Sequence, residues 1–441
     1  MQANSSYPLD QRFSTEVGDA SGGAPSHDDQ GTSGSCDRDS IQHVLNAFEA
    51  WLSRFGETSY DHQSYFAGRH GGAAKALYYR QRLLGTAAVA PMILSEALFP
   101  AARRLFHLKQ RFPIADAHYA MGFAFLAAVT NKADHYQKAV HFLDVLERTR
   151  SPGYAHHAWG YPFDWVTRTG VMTAGTPLIT TTPYVYEAFA AVHALDGDAR
   201  WLDTMASIAR HAATDFGDRP LSETSATAGY NPQDKEGNVI NASAYRAFLL
   251  TAAAQQFDND AYRVTAQRNL NYVLSAQRED GAWPYATDGV RDFVDHFHTC
   301  FVLKALAKIE LLAPSEQLTQ AIARGVAYYV EHLFDEHGLP RPFALAPRLT
   351  VYRHELYDYA ECINLAVLLA GRFDLLDARL RSTVADLLTR WRKSDGSFRS
   401  RRLLLGWDNV PMHRWAQAQV FRSLCLLLNR SAAPTALARS H

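Results

Sequence analysis

The chain predicts an all-α protein, an (α/α)6 toroid in which six helical hairpins close into a barrel. Three observations predict it. Helical periodicity runs almost unbroken from residue 91, loops rich in Gly, Pro and Asp interrupt it at regular intervals, and successive segments alternate in character. The segments that look most buried begin near Asp116, Thr181, Asn241, Asp295, Leu356 and Met412, with gaps of 65, 60, 54, 61 and 56 residues. A period of that size fits one helical hairpin plus a loop.

In chain order, residues 1–38 are rich in Ser, Gly, Asp and Gln and are expected to form a disordered leader. Residues 39–90 are expected to supply an additional N-terminal helix and a Tyr-rich lead-in, with the first outer helix at about 91–110. Segments 182–195, 241–257 and 295–312 are rich in Ala and aromatics, which suits inner helices packed on both sides. Their successors at 199–216 and 315–334 carry one apolar stripe and a charged face, which suits outer helices. Asp116, Thr181, Asn241 and Asp295 stand where N-caps are expected. One toroid domain is expected over 39–430, with a flexible tail at 431–441. Six inner segments, and long aromatic loops on one side only, favour a closed ring over an open superhelix.

Bulk properties narrow the function. Hydrophobic residues make up 47%, enough for a sizeable core, and the net charge of -1 gives no reason to expect nucleic acid or an anionic membrane as partner. The four cysteines, at 36, 300, 362 and 425, have no metal-ligand spacing, so neither a metal site nor a disulfide framework is predicted. No cofactor is called for. No basic-then-apolar N-terminal signal and no run of ~18 apolar residues occurs, so a cytoplasmic protein without a membrane span is expected.

Closure would bring the N-terminal ends of all six inner helices, and the loops that enter them, to one mouth. Those loops carry the unusual residues: HHAWGYPFDWVTRTG (156–170), GYNPQ (229–233), WPY (283–285), DFVDHFHTC (292–300), YRHELYD (352–358) and PMHRW (411–415). Trp159, Tyr161, Trp165, Trp283, Tyr285 and Trp415 offer flat faces for sugar rings. Arg168, Arg353 and Arg414 can grip carboxylates bidentately, and Asn241 and His413 can bond hydroxyls. Asp295 and His298, three apart, share a helix face. They read either as a general acid or base with its orienting carboxylate, or as a capping Asp beside a packed histidine. Asp164 is a candidate carboxylate that could instead pair with Arg168, four residues on. Tyr245 and Tyr357 fall one turn into their helices as candidate bases. His156 and His157 lack a third metal ligand at sensible spacing.

Two resemblances follow. RNLNYVLSAQREDGAW (268–283), with its Gln277, Gly281 and Trp283, resembles the QW motif of terpenoid cyclases, which are α/α toroids. The acidic DxDD motif of those cyclases is missing. GYPFDWVTRTG…GTPLITTTPYVYEAF, INASAY, FVDHFHT and DGSF…PMHRWAQAQ together resemble a toroid family of bacterial and archaeal exopolysaccharide and capsule biosynthesis clusters, over about residues 110–430. That resemblance implies a toroid and a glycan context. It also leads one to expect an Asp-x-His pair at the fifth inner helix, where this chain has Glu355 and Tyr357.

The expected function is a carbohydrate-active enzyme that removes the C5 proton of a uronic acid, as lyase or epimerase. His298 or Tyr245 would act as base or acid, and Arg168, Asn241 and Arg414 would hold the carboxylate. The alternatives are a glycoside hydrolase using Asp164 and Asp295, and a glycan-binding or assembly component without turnover. The partner in each case is an oligosaccharide or polysaccharide, lipid-linked if met before export. The sugar, linkage and oligomeric state are not legible.

Overall fold

The structure, a computed structural model, describes residues 38–437 except Thr169, Arg348 and Leu349; the side chains of Phe106 and of residues beyond Ser431 lie outside it. The expected leader therefore falls outside the described residues, apart from Arg38. The expected tail begins inside a helix that runs to Leu437.

Sixteen helices are described: α1 (Arg38–Phe55), α2 (Ser64–Ala67), α3 (Arg69–Arg80), α4 (Arg82–Leu98), α5 (Arg103–Phe106), α6 (Pro113–Thr130), α7 (Ala133–Arg148), α8 (Thr182–Asp196), α9 (Ala199–Thr214), α10 (Ile240–Phe257), α11 (Asp260–Ser275), α12 (His296–Leu312), α13 (Glu316–His332), α14 (Leu356–Leu368), α15 (Asp374–Asp386) and α16 (Ala418–Leu437). The inner helices are α6, α8, α10, α12, α14 and α16. Each packs on the next, and α16 returns to α6, so the ring is closed. The chain is an all-α toroid.

The inner helices are buried all round. In α10 every residue from Ile240 to Leu250 is buried, and small side chains let neighbours approach. A side chain at Gly122 of α6, for example, would strike the Phe421 ring of α16. The outer helices α7, α9, α11, α13 and α15 bury one stripe each. Helix ends follow local chemistry. Pro113 opens α6, where a missing amide proton costs little, and Asn131 ends it in the left-handed region at φ 52°.

The ring closes differently from expectation at its first outer position. α1, not 91–110, packs against α16, and its Phe48 meets Tyr119, Phe398 and Phe421. Residues 64–106 form a lateral excursion in which α3 and α4 pack chiefly on each other. The reason lies in the sequence: α1 carries a clean stripe of Ile41, Val44, Leu45, Phe48, Trp51 and Leu52, whereas α4 buries only Gly85 and Glu96.

The capping expectation holds at one position of four. Asp295 caps α12 by accepting from the His298 amide. Asp116 lies inside the first turn of α6 and pairs with Arg111. Thr181 precedes α8 without a side-chain cap bond, and Asn241 is the second residue of α10.

The Gln277–Gly281–Trp283 motif staples outer helices together. Gln277 donates to the carbonyls of Gly281 and Ala321, and Trp283 donates its indole N–H to the Val273 carbonyl at 2.8 Å. Gly281 adopts φ +93° against the Arg324 carbonyl, a place and conformation that suit only glycine.

Short antiparallel strands decorate the loops that enter the inner helices. Val294–Asp295 pairs with Phe343–Leu345, and Tyr352–Glu355 pairs with Arg401–Leu403, which pairs with Trp407–Asp408.

Candidate functional site

Aromatic and charged side chains from five loops meet at the N-terminal end of the inner helices. Arg414 is the hub. Its guanidinium lies 3.8 Å from the Trp415 ring centre, 4.6 Å from Tyr161 and 5.8 Å from Trp165. Its Nε and Nη2 donate to the two Asp61 oxygens, both at 2.7 Å, while the buried Nη1 has no partner among the described residues. Trp415 stacks on Tyr357 at 6.1 Å with 7° between planes, and Tyr357 contacts Phe297 at 5.2 Å. Phe297 leads to His298, which meets Tyr285 edge-on at 4.6 Å.

Among these groups His298 is the imidazole held by a carboxylate. Its Nδ1 lies 2.9 and 2.7 Å from the oxygens of Asp295, whose carboxylate also holds the His298 amide. A carboxylate only accepts, so Nδ1 is the donor, and in the neutral imidazole Nε2 is then the acceptor nitrogen. Nε2 has no hydrogen-bond partner among the described residues, and the side chain keeps 18% exposure against 2% for Asp295. One carboxylate thus both caps the helix and holds the imidazole.

Tyr245 lies one turn below. Its hydroxyl bonds that of Tyr184 at 2.8 Å, and burial pushes its pKa well up, so it keeps its proton and can donate but not act as a base. Tyr357 is likewise raised by burial. Asn241 is buried at the start of α10, beside the Tyr285 backbone, with both amide atoms unpartnered.

Other expected residues stand elsewhere. Trp159 is fully buried and donates to the Leu146 carbonyl, and Trp283 belongs to the staple above; both are framework rather than ligand surface. His413 is a fully buried clip, joining the Gly56 carbonyl and the Tyr119 hydroxyl. Burial lowers its pKa to about 4. Asp164 is exposed and accepts from the Ala174 amide, and Arg168 and Arg353 are exposed. The expected Asp164–Arg168 pair does not form among the described contacts. His157 is held by Glu147 and Ser207.

The structure adds residues that sequence reasoning missed. Asp358, in the first turn of α14, is fully buried with both oxygens unpartnered. Burial, with Glu355 and Asp295 as negative neighbours, pushes its pKa well up. Glu355 is held by Arg401, which also donates to His62 Nε2 at 3.1 Å. Tyr230, from the 229–233 loop, is pushed up by burial and by Tyr285 and Tyr161 beside it. Asp358 left one signal in the sequence, an ionisable residue that shares a mostly apolar inner helix with Glu361. Asp61 and His62 left none, because their segment has no repeat position.

Among the described residues, one grouping of metal-type ligands is found, Glu49, Asp134 and His135 on the outer wall. Lys138 already pairs with both of its carboxylates.

No family model matches the chain, and no curated protein sequence does. Solved structures do. A UGL variant with dGlcA-Glc-Rha-Glc superposes with a TM-score of 0.58 at 12% identity, over 88% of this chain and 96% of that one. Cellobiose 2-epimerase from Bacillus thermoamylovorans gives 0.56 at 10% identity, over 74% of this chain and 88% of that one. A glycosyl hydrolase of family 88 from Bacteroides vulgatus gives 0.52 at 11% identity, over 89% and 99%. At these identities the likeness establishes the toroid fold.

Proposed function

We propose that this protein is a carbohydrate-active enzyme that abstracts the C5 proton of a uronic acid residue in a glycan, as a lyase or an epimerase. The observation that carries the reading is the Asp295–His298 pair, its Nε2 without a partner among the described residues and its ring edge-on to Tyr285. Similar toroids include an epimerase and a family 88 hydrolase, which supports a glycan substrate.

In the proposed step Nε2 takes the C5 proton, and the C–H electron pair moves into the carboxylate as an enolate. Arg414 Nη1 and the Asn241 amide, both buried and unpartnered, are the donors that would neutralise it. For a lyase the enolate electrons form the C4–C5 double bond, the C4–O bond breaks, and the leaving oxygen takes the Tyr245 proton. For an epimerase Tyr245 returns a proton to the opposite face. The context we propose is exopolysaccharide or capsule biosynthesis in the cytoplasm, on lipid-linked intermediates.

Asp358 favours a second reading, glycoside hydrolysis. A carboxyl group held protonated near Asp295 is how one site separates acid from base. In that reading Asp358 takes the place in the carboxylate pair that was expected of Asp164.

The test is incubation with uronate oligosaccharides, following ultraviolet absorbance and product masses. Unsaturated products, or solvent deuterium at C5, support proton abstraction, and His298→Ala should then lose activity by ~10²-fold or more while retaining binding. Saturated products heavier by one water would establish the hydrolase. Binding without turnover would leave a glycan-binding component.

A further inference from the structure

The excursion at 64–110 is used by neither reading, and its surface is unlike the rest of the molecule. Of the eighteen large apolar side chains left exposed among the described residues, nine lie within the thirty residues from Tyr79 to Leu108. Leu83 is 88% exposed, Leu108 86%, Leu105 80% and Phe99 69%. Clustering on this scale marks an interaction surface, because apolar side chains left exposed are ordinarily scattered singly.

The same segment holds seven Lys and Arg residues and one acidic residue, within a chain whose overall charge is -1. The one acid, Glu96, is buried and neutralised by Arg103. Arg69, Arg80, Arg82, Arg104 and Lys109 are exposed. The near-neutral total thus conceals a basic, apolar hairpin on an acidic body.

We infer that this hairpin docks on an anionic lipid bilayer, its leucines and Phe99 entering the headgroup–acyl boundary and its arginines meeting lipid phosphates. The charge selects this occupant: apolar burial and a basic excess are the two signals that together hold a protein at such a surface. α4, at 17 residues and with Pro91 inside, belongs in the plane of the interface, and no helix among the described residues is long and apolar enough to cross a membrane.

The placement has a consequence for the mouth. Lys75 of α3 lies 4.5 Å over the Trp165 ring, and Gly72 packs on Val166. Behind α4, Arg103 is ion-paired to Asp408, whose strand pairs with that of Arg401. The hairpin is therefore rooted in the rim, and docking holds the barrel mouth beside the lipid headgroups. The inference stands on the surface alone and does not need the proposed activity.

The test uses the full chain with vesicles of phosphatidylcholine, with and without phosphatidylglycerol, in a flotation assay at low and high salt. The expected result is binding to the anionic vesicles, at least tenfold weaker on phosphatidylcholine alone and in high salt. Leu83→Glu with Leu105→Glu, and separately Arg80→Glu with Arg82→Glu and Arg104→Glu, should each weaken it at least tenfold with unchanged helical circular dichroism. These positions are exposed, so the fold is spared. No binding to anionic vesicles, or binding indifferent to charge reversal, overturns the inference. A shift from dimer to monomer in the leucine variant by sedimentation equilibrium would also overturn it, assigning the patch to a second copy of the chain.

Discussion

Replacing Asp61 by Asn tests the hub of the site without any knowledge of the substrate. Asp61 and Arg414 are both fully buried and meet through two bonds of 2.7 Å. At that separation, with an effective dielectric near 20, the gross attraction is about 6 kcal/mol. Desolvation of the two ions offsets most of it, so the pair's net worth is small. Removing one partner is different, because the guanidinium stays buried and uncompensated at a cost of roughly 3–5 kcal/mol. Asp61→Asn should therefore destabilise by about 3–5 kcal/mol, read as a lowered urea midpoint with unchanged slope. Asp61→Asn with Arg414→Met, which removes both charges, should recover at least half of the loss. A single-variant loss below about 1 kcal/mol, or a double variant less stable than the single, would refute the account of Arg414 as a buried ion held by Asp61.

Three further outcomes are expected. Asp295→Asn keeps a competent helix cap but loses the imidazole's orienting charge; stability should stay within about 1 kcal/mol while turnover on any identified substrate falls by ~10²–10⁴. Retained turnover would remove the pair from the mechanism. His296, buried between the Leu333 and Arg341 carbonyls and the Tyr329 hydroxyl, is lowered by burial to about 3. The unfolded chain takes up that proton near 6.5 and the folded one does not, so this stability is whole above 6.5 and is lost as pH falls toward 3. Between pH 6.5 and 5 the loss is about 2 kcal/mol, with His413 adding in the same direction, and His296→Gln should flatten the fall in urea midpoint. Gly281→Ala forces a side chain onto the Arg324 carbonyl at φ +93° and should cost roughly 1–3 kcal/mol of stability in the same assay.

The inner ring was legible because its signal repeats. Helices buried on both sides must be apolar all round, and segments expected near Thr181, Asn241, Asp295, Leu356 and Met412 begin within about one residue of helices or helical turns in the structure. Periodicity could not tell a ring helix from a lateral one: 82–98 is more apolar than 38–55, yet only the latter concentrates its apolar residues on one face. At the site, Asp295–His298 was legible because both partners lie on one turn. Trp159 and Trp283 were not, since a tryptophan in a loop has the same sequence signature whether its indole faces a ligand or bonds a carbonyl in the wall. Arg414 was found but not its partner Asp61, 353 residues away, for no local pattern couples them.

The barrel axis accounts for what the mouth can do. Side chains that point into the lumen cannot pack ridge-into-groove on a neighbouring helix, and here they are long and polar. Lys304 of α12 pairs with Glu361 of α14 and donates to the Tyr184 hydroxyl of α8 at 3.1 Å, and Tyr184 reaches Tyr245 of α10. Lys308 pairs with Glu187, again joining α12 to α8. His118, beside Tyr184, is kept neutral by burial and by the nearby cations of Arg422, Lys304 and Lys308. Such a network ties four inner helices together, and removing either lysine, Glu187 or Glu361 leaves buried charge uncompensated. Its upper end is the Tyr245 hydroxyl, and Phe301 touches the rings of both Tyr245 and His298. The interactions that tie the lumen together therefore also hold the Tyr245 phenol in place, a position set by the closed ring rather than by any single loop.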